Sequence, residues 1–527
     1  MKPNRLERAI AAVSPAWALN RARARLHAQA YSTAYEAARP SRLRKWSRDY
    51  GSGTTVARGG LKPLRDYARN LERNHDISRG ALNTLVQNIV GPAGISIEPQ
   101  PLSVDGKGVD SDLQQQLQDL WQEWGEWPEV SWTHSWASAQ RMLCRSWVRD
   151  GEVLFQMLPG KVPGLQHGSR VPLSIELIEA DLLDHTFDDV SRGIVQGVER
   201  NAWNRAIAYW VFKQHPGDYN LLNPIDRKRV TADLMYHLKL IDRIAQVRGI
   251  SVFGSVCARL DDIKDYEDSE RIAAKVAASM AAFIKKGNPD NYEPQIDPLT
   301  GQAKPGRDLK FIPGMVFDDL LPGEDISSID PKRPNTNLEA FRSGQLRAAA
   351  SGLGTSYSSL SKNYDGTYSA QRQELVEQWA SYAIIGNEFI AQCVRPIWQQ
   401  FVNACVLGGL VRVPRGMTAR QLQHAVFVSP SMPWIDPLKE AQGLSIMELR
   451  GYISAPEIIR RRGGNPTDVL TQEANWRQRA KEMGLDFSAA VPTPARLPDQ
   501  AEPPPPPGGD VPADDGAPEP TIETGNE

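Results

Sequence analysis

Gly352-Leu353-Gly354-Thr355-Ser356-Tyr357-Ser358-Ser359-Leu360-Ser361-Lys362-Asn363-Tyr364, followed by Tyr368-Ser369-Ala370-Gln371-Arg372, is the stretch on which the fold turns. Its Gly, Ser and Tyr content is that of a mobile loop, and helical patterns flank it on both sides. Upstream, Thr336-Asn337-Leu338-Glu339 is a capping box, in which the Thr hydroxyl and the Glu carboxylate each satisfy an orphan backbone N–H. It opens a helix that stops at Gly352-Leu353-Gly354. Downstream, a second helical pattern begins near Tyr368 and runs toward Leu407, with Pro396 inside it. Proline has no N–H to donate and its ring crowds the preceding turn, so a kink or break is expected near Arg395. Before the capping box, Val252, Val256, Leu260, Ile263, Ile272, Val276, Met280 and Phe283 fall near a 3.6-residue period and end at Lys285-Lys286-Gly287-Asn288-Pro289. That predicts a rod of roughly 45–50 Å at about 1.5 Å per residue.

Further out, Leu64, Tyr67, Leu71, Ile77, Leu82, Leu85, Val86 and Ile89 predict one helix over Leu61–Val90, stopped by Gly91-Pro92-Ala93-Gly94. Ile95–Pro99 alternates like a short strand, and Leu113–Trp127 reads as a helix with Leu113, Leu117, Leu120, Trp121 and Trp124 on one side. The period then changes. Val153–Met157, Ser174–Ile178 and Ala206–Phe212 are short strand-like runs separated by Gly, Pro and Asp. The fold class is therefore α+β, mainly helical. No repeat at a 20–50-residue period is present, which argues against solenoids and propellers.

The 527 residues carry 61 Lys+Arg against 63 Asp+Glu, and this balance excludes a uniformly basic nucleic-acid coat. The neutrality averages two opposite ends. Residues 1–73 hold 16 basic against 5 acidic side chains, and Arg42-Leu43-Arg44-Lys45-Trp46 with Arg48 interleaves charge and an aromatic ring. Such a patch suits a polyanion or an acidic protein partner. Residues 491–527 hold 8 acidic residues against Arg496 alone, around the Pro503–Pro507 run, so residues 485–527 are expected to be a disordered Pro-rich acidic tail. The four cysteines form no CxxC pair, which leaves free buried thiols. No apolar run reaches the ~18 residues of a membrane-spanning helix.

No P-loop GxxxxGK[ST], HExxH, GxSxG or strand-following GxGxxG occurs, and the eight histidines, including His185, His215 and His237, share no ligand spacing. Arg149-Asp150-Gly151-Glu152 and Glu179-Ala180-Asp181 bring carboxylates close enough for a divalent metal or acid/base work, although such residues beside Gly are commonly turn formers. The acidic run Asp261, Asp262, Asp265, Glu267, Asp268 and Glu270 reads as a solvated or subunit-facing helix surface. These residues alone describe a multi-domain, non-catalytic chain without cofactor. The competing reading is a metal-dependent hydrolase or nuclease of an assembly pathway, built on Asp150, Glu152, Glu179 and Asp181.

The Gly352–Tyr364 run with Tyr368–Arg372 resembles the signature of lambda-type tailed-phage portal proteins. Further stretches resemble that family in the same order: Arg149–Glu152, Ile178–Asp181, Ala208-Tyr209-Trp210 with His215-Pro216, Arg248–Ser251, Leu321–Glu324 and Trp434–Glu440. Two positions depart from the family pattern, which often has an acidic residue in place of Ser358 and Asp in place of Asn363.

The resemblance implies a phage portal fold of wing, stem, clip and crown that assembles as a ring of identical subunits, commonly twelve, at one capsid vertex of the virion. It implies double-stranded DNA passing through a central channel without sequence specificity, a terminase docked on the outer end, then head-completion and tail connector proteins, and no membrane. Laid on this chain, it gives a basic N-terminal segment at 1–60, an α+β wing at 61–250 and a first stem helix at 251–286. A clip follows at 287–334, a second stem helix at 335–353, a channel loop at 354–369, and a kinked helix with the crown at 370–484. Lys362, Asn363, Tyr364 and Arg372 are the expected DNA-channel residues, and Phe311, Met315 and Phe317 the expected anchors for terminase and adaptors. Gly354 and Gly366 are expected to hold backbone angles closed to β-branched residues.

Overall fold

The computed structural model describes residues 51–218, 226–278, 282–286, 296, 298–302, 324–328, 338–432 and 437–485. The chain divides at Gly463 into a large unit and a C-terminal one.

The first helical pattern is two helices, not one. Helix α1 (Gly53–Asn74) opens on the Ser52 cap and α2 (Asp76–Ile89) follows at once. Between them His75 leaves the helical region at φ -128 and ψ 114. Its buried ring accounts for the break: Nε2 donates to the Leu260 carbonyl at 2.9 Å and Nδ1 accepts from Ser78 N at 3.4 Å. A tertiary contact far along the chain thus outweighs local helical continuity.

Strand β1 (Ser96–Pro99) leads to α3 (Ser111–Glu126), whose buried residues are Leu113, Leu117, Leu120, Trp121 and Trp124, the face its spacing predicted. Helix α4 (Trp136–Asp150) ends on Gly151 at φ +85. Two sheets follow. Strands β2 (Glu152–Pro159) and β3 (Leu173–Ile178) pair antiparallel in one sheet. A second sheet joins β4 (Ile194–Val195), β5 (Val198–Arg200), β6 (Ala206–Phe212) and β7 (Arg227–Thr231) in sequence order. Strand β8 (Met235–Lys239) returns to pair with β2, setting Glu152 opposite Lys239. Leu154, Ile178, Val198, Tyr209, Val211 and Met235 form a small core shared by the two sheets.

The segment expected as the first stem helix differs from expectation at its far end. A 3₁₀ turn (Val252–Ser255) precedes α5 (Cys257–Ala278), at 22 residues about 33 Å long instead of 45–50 Å. Residues 282–286, expected to be helical, are strand β9 (Ala282–Lys286), antiparallel to β10 (Glu324–Ser328) with Lys286 opposite Glu324. The backbone N–H and C=O groups there are satisfied by a partner nearly forty residues on, which local periodicity does not register. Helix α6 (Leu338–Leu353) runs back antiparallel to α5: Arg342 pairs with Glu267 at 2.5 Å, the Phe341 ring lies tilted against Tyr266 with centroids 4.9 Å apart, and Gly352 abuts Val256. The capping-box residues Thr336 and Asn337 lie outside the described residues, as does most of the clip.

A short helix α7 (Tyr357–Ser361) lies in the expected loop, then α8 (Tyr368–Phe389) starts on the Thr367 cap. The expected break near Arg395 is a π-helical turn (Ile390–Val394), in which Arg395 N reaches back five residues to Ile390 O. The turn lets the chain absorb Pro396, which heads α9 (Arg395–Leu407), without ending the rod. The Gln392 side chain leaves this turn to bond both Lys239 N and O, closing the end of β8. Trp398 and Phe401 of α9 complete an aromatic cluster with Trp121, Trp124 and Trp136, ring centroids 4.8–6.0 Å apart. Helix α10 (Ala419–Leu422) and β11 (Ala425–Val428) follow, β11 pairing antiparallel with β1. Helices α11 (Pro437–Leu449) and α12 (Ala455–Arg461) end the large unit, and α13 (Pro466–Glu482) belongs to the second. The four cysteines are free and buried, as expected.

Candidate functional site

The segment between α6 and α8 is more ordered than its composition suggests. Gly354, at φ +66, ends α6 and turns the chain. The Ser356 hydroxyl caps α7 by accepting from Ser359 N at 3.1 Å. The short helix is then held from two sides. Toward α6, Tyr357 Oη bonds Ser343 Oγ at 3.1 Å and its ring lies under the Arg347 guanidinium at 5.0 Å. Toward α8, the Glu374 carboxylate accepts from Ser358 N at 3.2 Å and from Ser358 Oγ at 2.5 Å, and Ser359 Oγ donates to Gln378. This explains one departure from the family pattern. An acidic side chain at 358 would face the Glu374 carboxylate, whereas a hydroxyl donates to it.

Six residues, 362–367, remain outside helices. Lys362 ends α7 in the left-handed region at φ +57 and its side chain is exposed. Asn363 is half-buried, and its Oδ1 accepts from Asp365 N at 2.8 Å. That bond belongs to a tight Asx turn. Tyr364 is exposed, and Arg372 is exposed in the second turn of α8. The structure thus gathers Lys362, Asn363 and Tyr364 on one turn, with Arg372 on the helix that follows it. Gly366 does not have a positive φ and a Cβ there would make only ordinary contact, so the backbone constraint expected at both loop glycines holds at Gly354 alone. Phe311, Met315 and Phe317, and Arg42, Arg44, Lys45 and Arg48, lie outside the described residues.

The carboxylates of the competing metal reading have a different fate. Glu152 is fully buried and accepts from Arg65 Nη2 at 2.6 Å, Arg248 Nη2 at 2.5 Å, His237 Nε2 at 2.9 Å and Gly249 N at 3.0 Å. Burial alone would raise its pKa, but Arg248 and His237 outweigh it and hold the carboxyl well below the usual range. Asp150 is clasped by Arg69 and Arg149, each at 2.7 Å, and Asp181 by Arg69 at 2.6 Å and Arg65 at 3.3 Å. Asp181 is also lowered, burial being overcome by the same two arginines. Glu72 extends the network to Arg145 and Arg149. Each of these carboxylates is already neutralised by guanidinium groups, which supply the positive charge a divalent ion would bring. Glu179, Asp181 and His215 do approach within 4.8 Å of one another, but both Asp181 oxygens are engaged by Arg65 and Arg69. The arrangement around Glu152, Asp150 and Asp181 is a structural knot, while Glu179 lies exposed at its edge beside His215 at 3.4 Å.

The knot joins three stretches quoted separately from the sequence: Arg149–Glu152, Ile178–Asp181 and Arg248–Ser251. Their glycines permit the approach. A Cβ on Gly151 would lie 2.2 Å from Ile250 C, and one on Gly249 would lie 2.0 Å from Gly151 O. Sequence reading missed Arg65, Arg69 and Arg248 as partners. One signal was available: Arg65 sits four residues after Leu61 and three before Ala68, on the buried face of α1. An arginine on such a face needs a partner.

A profile described as "Phage portal protein, lambda family" matches residues 39–385, about two thirds of the chain. The chain belongs to the lambda family of phage portal proteins. Among relatives, it is 26% identical over 430 residues to the "Probable portal protein" of Halomonas phage phiHAP-1, covering 80% of this chain and 81% of that one. It is 25% identical over 270 residues to "Portal protein B" of Escherichia phage lambda, covering 46% of this chain and 49% of that one. A chain from the virion of a native gene transfer agent particle aligns with 79% of this portal-family chain and 99% of its own length, at 12% identity and a TM-score of 0.42. The matched span holds the knot, helices α5 and α6 and the pinned turn, so the features built up above are those of a portal-family chain.

Proposed function

We propose that identical copies of this chain close into a ring at one vertex of the capsid, and that duplex DNA crosses its centre past the 362–367 turn. The observation that carries this reading is α7, clamped between the stem and α8, which carries Lys362 and Tyr364 on its exposed end. One cation per copy on a pinned turn gives a ring of weak, sequence-independent phosphate contacts. Many tight contacts would stall a sliding duplex, because each neutralised phosphate adds affinity. In this reading the protein does no chemistry of its own, and a terminase supplies the energy. The clip at 287–334 is the docking surface for terminase and adaptor proteins, with Phe311, Met315 and Phe317 as anchors. The basic N-terminal patch meets a polyanion or acidic protein, and the assembled ring belongs to the virion. No helix among the described residues is long and apolar enough to cross a membrane.

The test pairs particle imaging with packaging. Purified protein is expected to give rings in native mass spectrometry and electron microscopy. Lys362→Ala is expected to leave ring assembly intact while changing packaged DNA length or retention in a salt-dependent way. Full genomes retained at every salt concentration by the variant would remove Lys362 from the channel.

A further inference from the structure

From Phe389 to Ile435 the chain carries four arginines and no aspartate or glutamate. Arg395 lies over the Phe427 ring at 4.9 Å. Arg412, Arg415 and Arg420 are exposed, and none of the three makes an ion pair or hydrogen bond among the described residues. Asp105 stands on the adjoining 103–108 turn, but its carboxylate accepts from the Ser103 hydroxyl at 2.6 Å and from Lys107 N at 3.2 Å. The Lys107 side chain on the same turn balances its charge. Single solvated arginines are ordinary; these three flank an apolar groove.

The groove, about 510 Å³, lies between α9, α10 and the end of β2. Val402, Leu407, Val413 and Leu422 supply its apolar lining, and no lining residue carries a charge or an aromatic ring. Leu407 is 87% exposed at the end of α9. Val413 and Ala419 belong to the lining, and Arg412 and Arg420 are their immediate neighbours in the chain. The walls are held in place. Thr418 and Gln421 form a capping box for α10, and Gln421 Nε2 donates to Ser103 O at 3.2 Å. Gln423 Nε2 donates to Asn403 Oδ1 at 2.8 Å, and Trp398 Nε1 to Gln423 O at 2.9 Å. A surface fixed in this way loses little freedom when it is covered.

We propose that this groove docks an acidic segment of a partner protein. One aliphatic side chain of the segment seats against Leu407, Val413 and Leu422, and the carboxylates flanking it pair with Arg412, Arg415 and Arg420. Charge complementarity argues the occupant: three guanidinium groups without carboxylates of their own match a segment rich in them, and the planar fork of each suits a carboxylate bidentately. The apolar floor asks for an aliphatic anchor between those charges. Nucleic acid would also satisfy the arginines, but single strands bind by stacking bases on aromatic side chains, and the groove offers none. Its floor would go unused. The inference goes beyond the ring reading and does not depend on it, because a single copy carries the whole groove.

The test is fluorescence anisotropy with the full-length protein and a fluorescein-labelled peptide, Gly-Glu-Glu-Leu-Glu-Glu-Leu-Glu-Glu-Gly, at about 0.15 M salt. Saturable binding is expected. It should weaken roughly tenfold or more with Leu407→Glu, with the pair Arg412→Ala and Arg415→Ala, and with serine in place of both peptide leucines. All three substituted positions are exposed, so the thermal midpoint should not move. Equal binding of the leucine and serine peptides, or full binding by Leu407→Glu, would reduce the site to charge alone and overturn the proposal. Displacement of the peptide by a charge-matched oligothymidylate at equal concentration would assign the arginines to nucleic acid and overturn it too. Binding that appears only after residues 486–527 are deleted would give the groove to the chain's own acidic tail, against a separate partner. No binding by either form would also overturn it.

Discussion

Glu152→Gln removes one negative charge from a buried site where Arg65, Arg248 and His237 converge. Both arginines are within 2% of full burial; Arg65 would keep Asp181 at 3.3 Å, but Arg248 would be left with backbone carbonyls alone and its charge uncompensated in a low-dielectric interior. Breaking such a buried pair by removing one partner costs about 3–5 kcal/mol. At about 2–4 °C per kcal/mol, the scale for domains of 150–250 residues, the thermal midpoint should fall by roughly 6–20 °C. The assay is scanning calorimetry at fixed protein concentration, because assembly shifts apparent stability by mass action. Lys62→Ala is the control. It breaks a surface pair with Asp66 at 2.8 Å, both partners half exposed, and pairs of that kind contribute about 0–1 kcal/mol. The pH dependence adds a second check. A carboxyl held below its unfolded value stabilises the fold above about pH 4.5, and that contribution is lost as pH falls through its depressed pKa. The gap between the two proteins should therefore narrow in acid. A Glu152→Gln midpoint within the shift seen for Lys62→Ala would refute the claim that the knot holds α1 to the β2 sheet.

Burial, only partly offset by Glu152, lowers the His237 pKa, so the unfolded chain takes up this proton first as pH falls below about 6.5. Stability should decline from that point, and His237→Gln should flatten this limb of a midpoint-against-pH curve. Gly249→Ala drives a Cβ into the Gly151 carbonyl and should lower the midpoint at least as much as Glu152→Gln, or abolish soluble expression. Gly354→Val should cost about 1–3 kcal/mol, measurable as a lower midpoint, because a β-branched residue is strained at φ +66, while Gly366→Val should be close to neutral.

The parts of the fold that were legible in the sequence are those fixed locally. The Leu113–Trp124 stripe, the short strands around Phe155 and Ile175, and the disturbance ahead of Pro396 each depend on neighbours within a turn or two, which periodicity records. The parts that were not legible depend on distant partners. His75 breaks a helix to reach Leu260, residues 282–286 become a strand because 324–328 pair with them, and α7 forms inside a loop because Ser358 and Ser359 find Glu374 and Gln378. The site divides in the same way. Lys362 through Tyr364 stood out by composition, whereas the carboxylates of Asp150, Glu152 and Asp181 revealed their role only once the arginines from α1 and from residue 248 were brought beside them.

The π-helical turn at Ile390–Val394 sets the rotational phase between two rods that would otherwise be one. With an extra residue in that turn, α8 keeps its Val376–Ile384 strip outward while α9 turns Trp398 and Phe401 into the tryptophan cluster. The wide turn absorbs one residue, about 100° of helical rotation, and so keeps the buried faces of the two rods in step. Closing it into an ordinary α-helical ladder with every residue retained would swing the aromatic residues out of their cluster. Deleting the exposed Ala391 instead removes the absorbed residue, and the two halves should stay timed to each other like gears on one shaft.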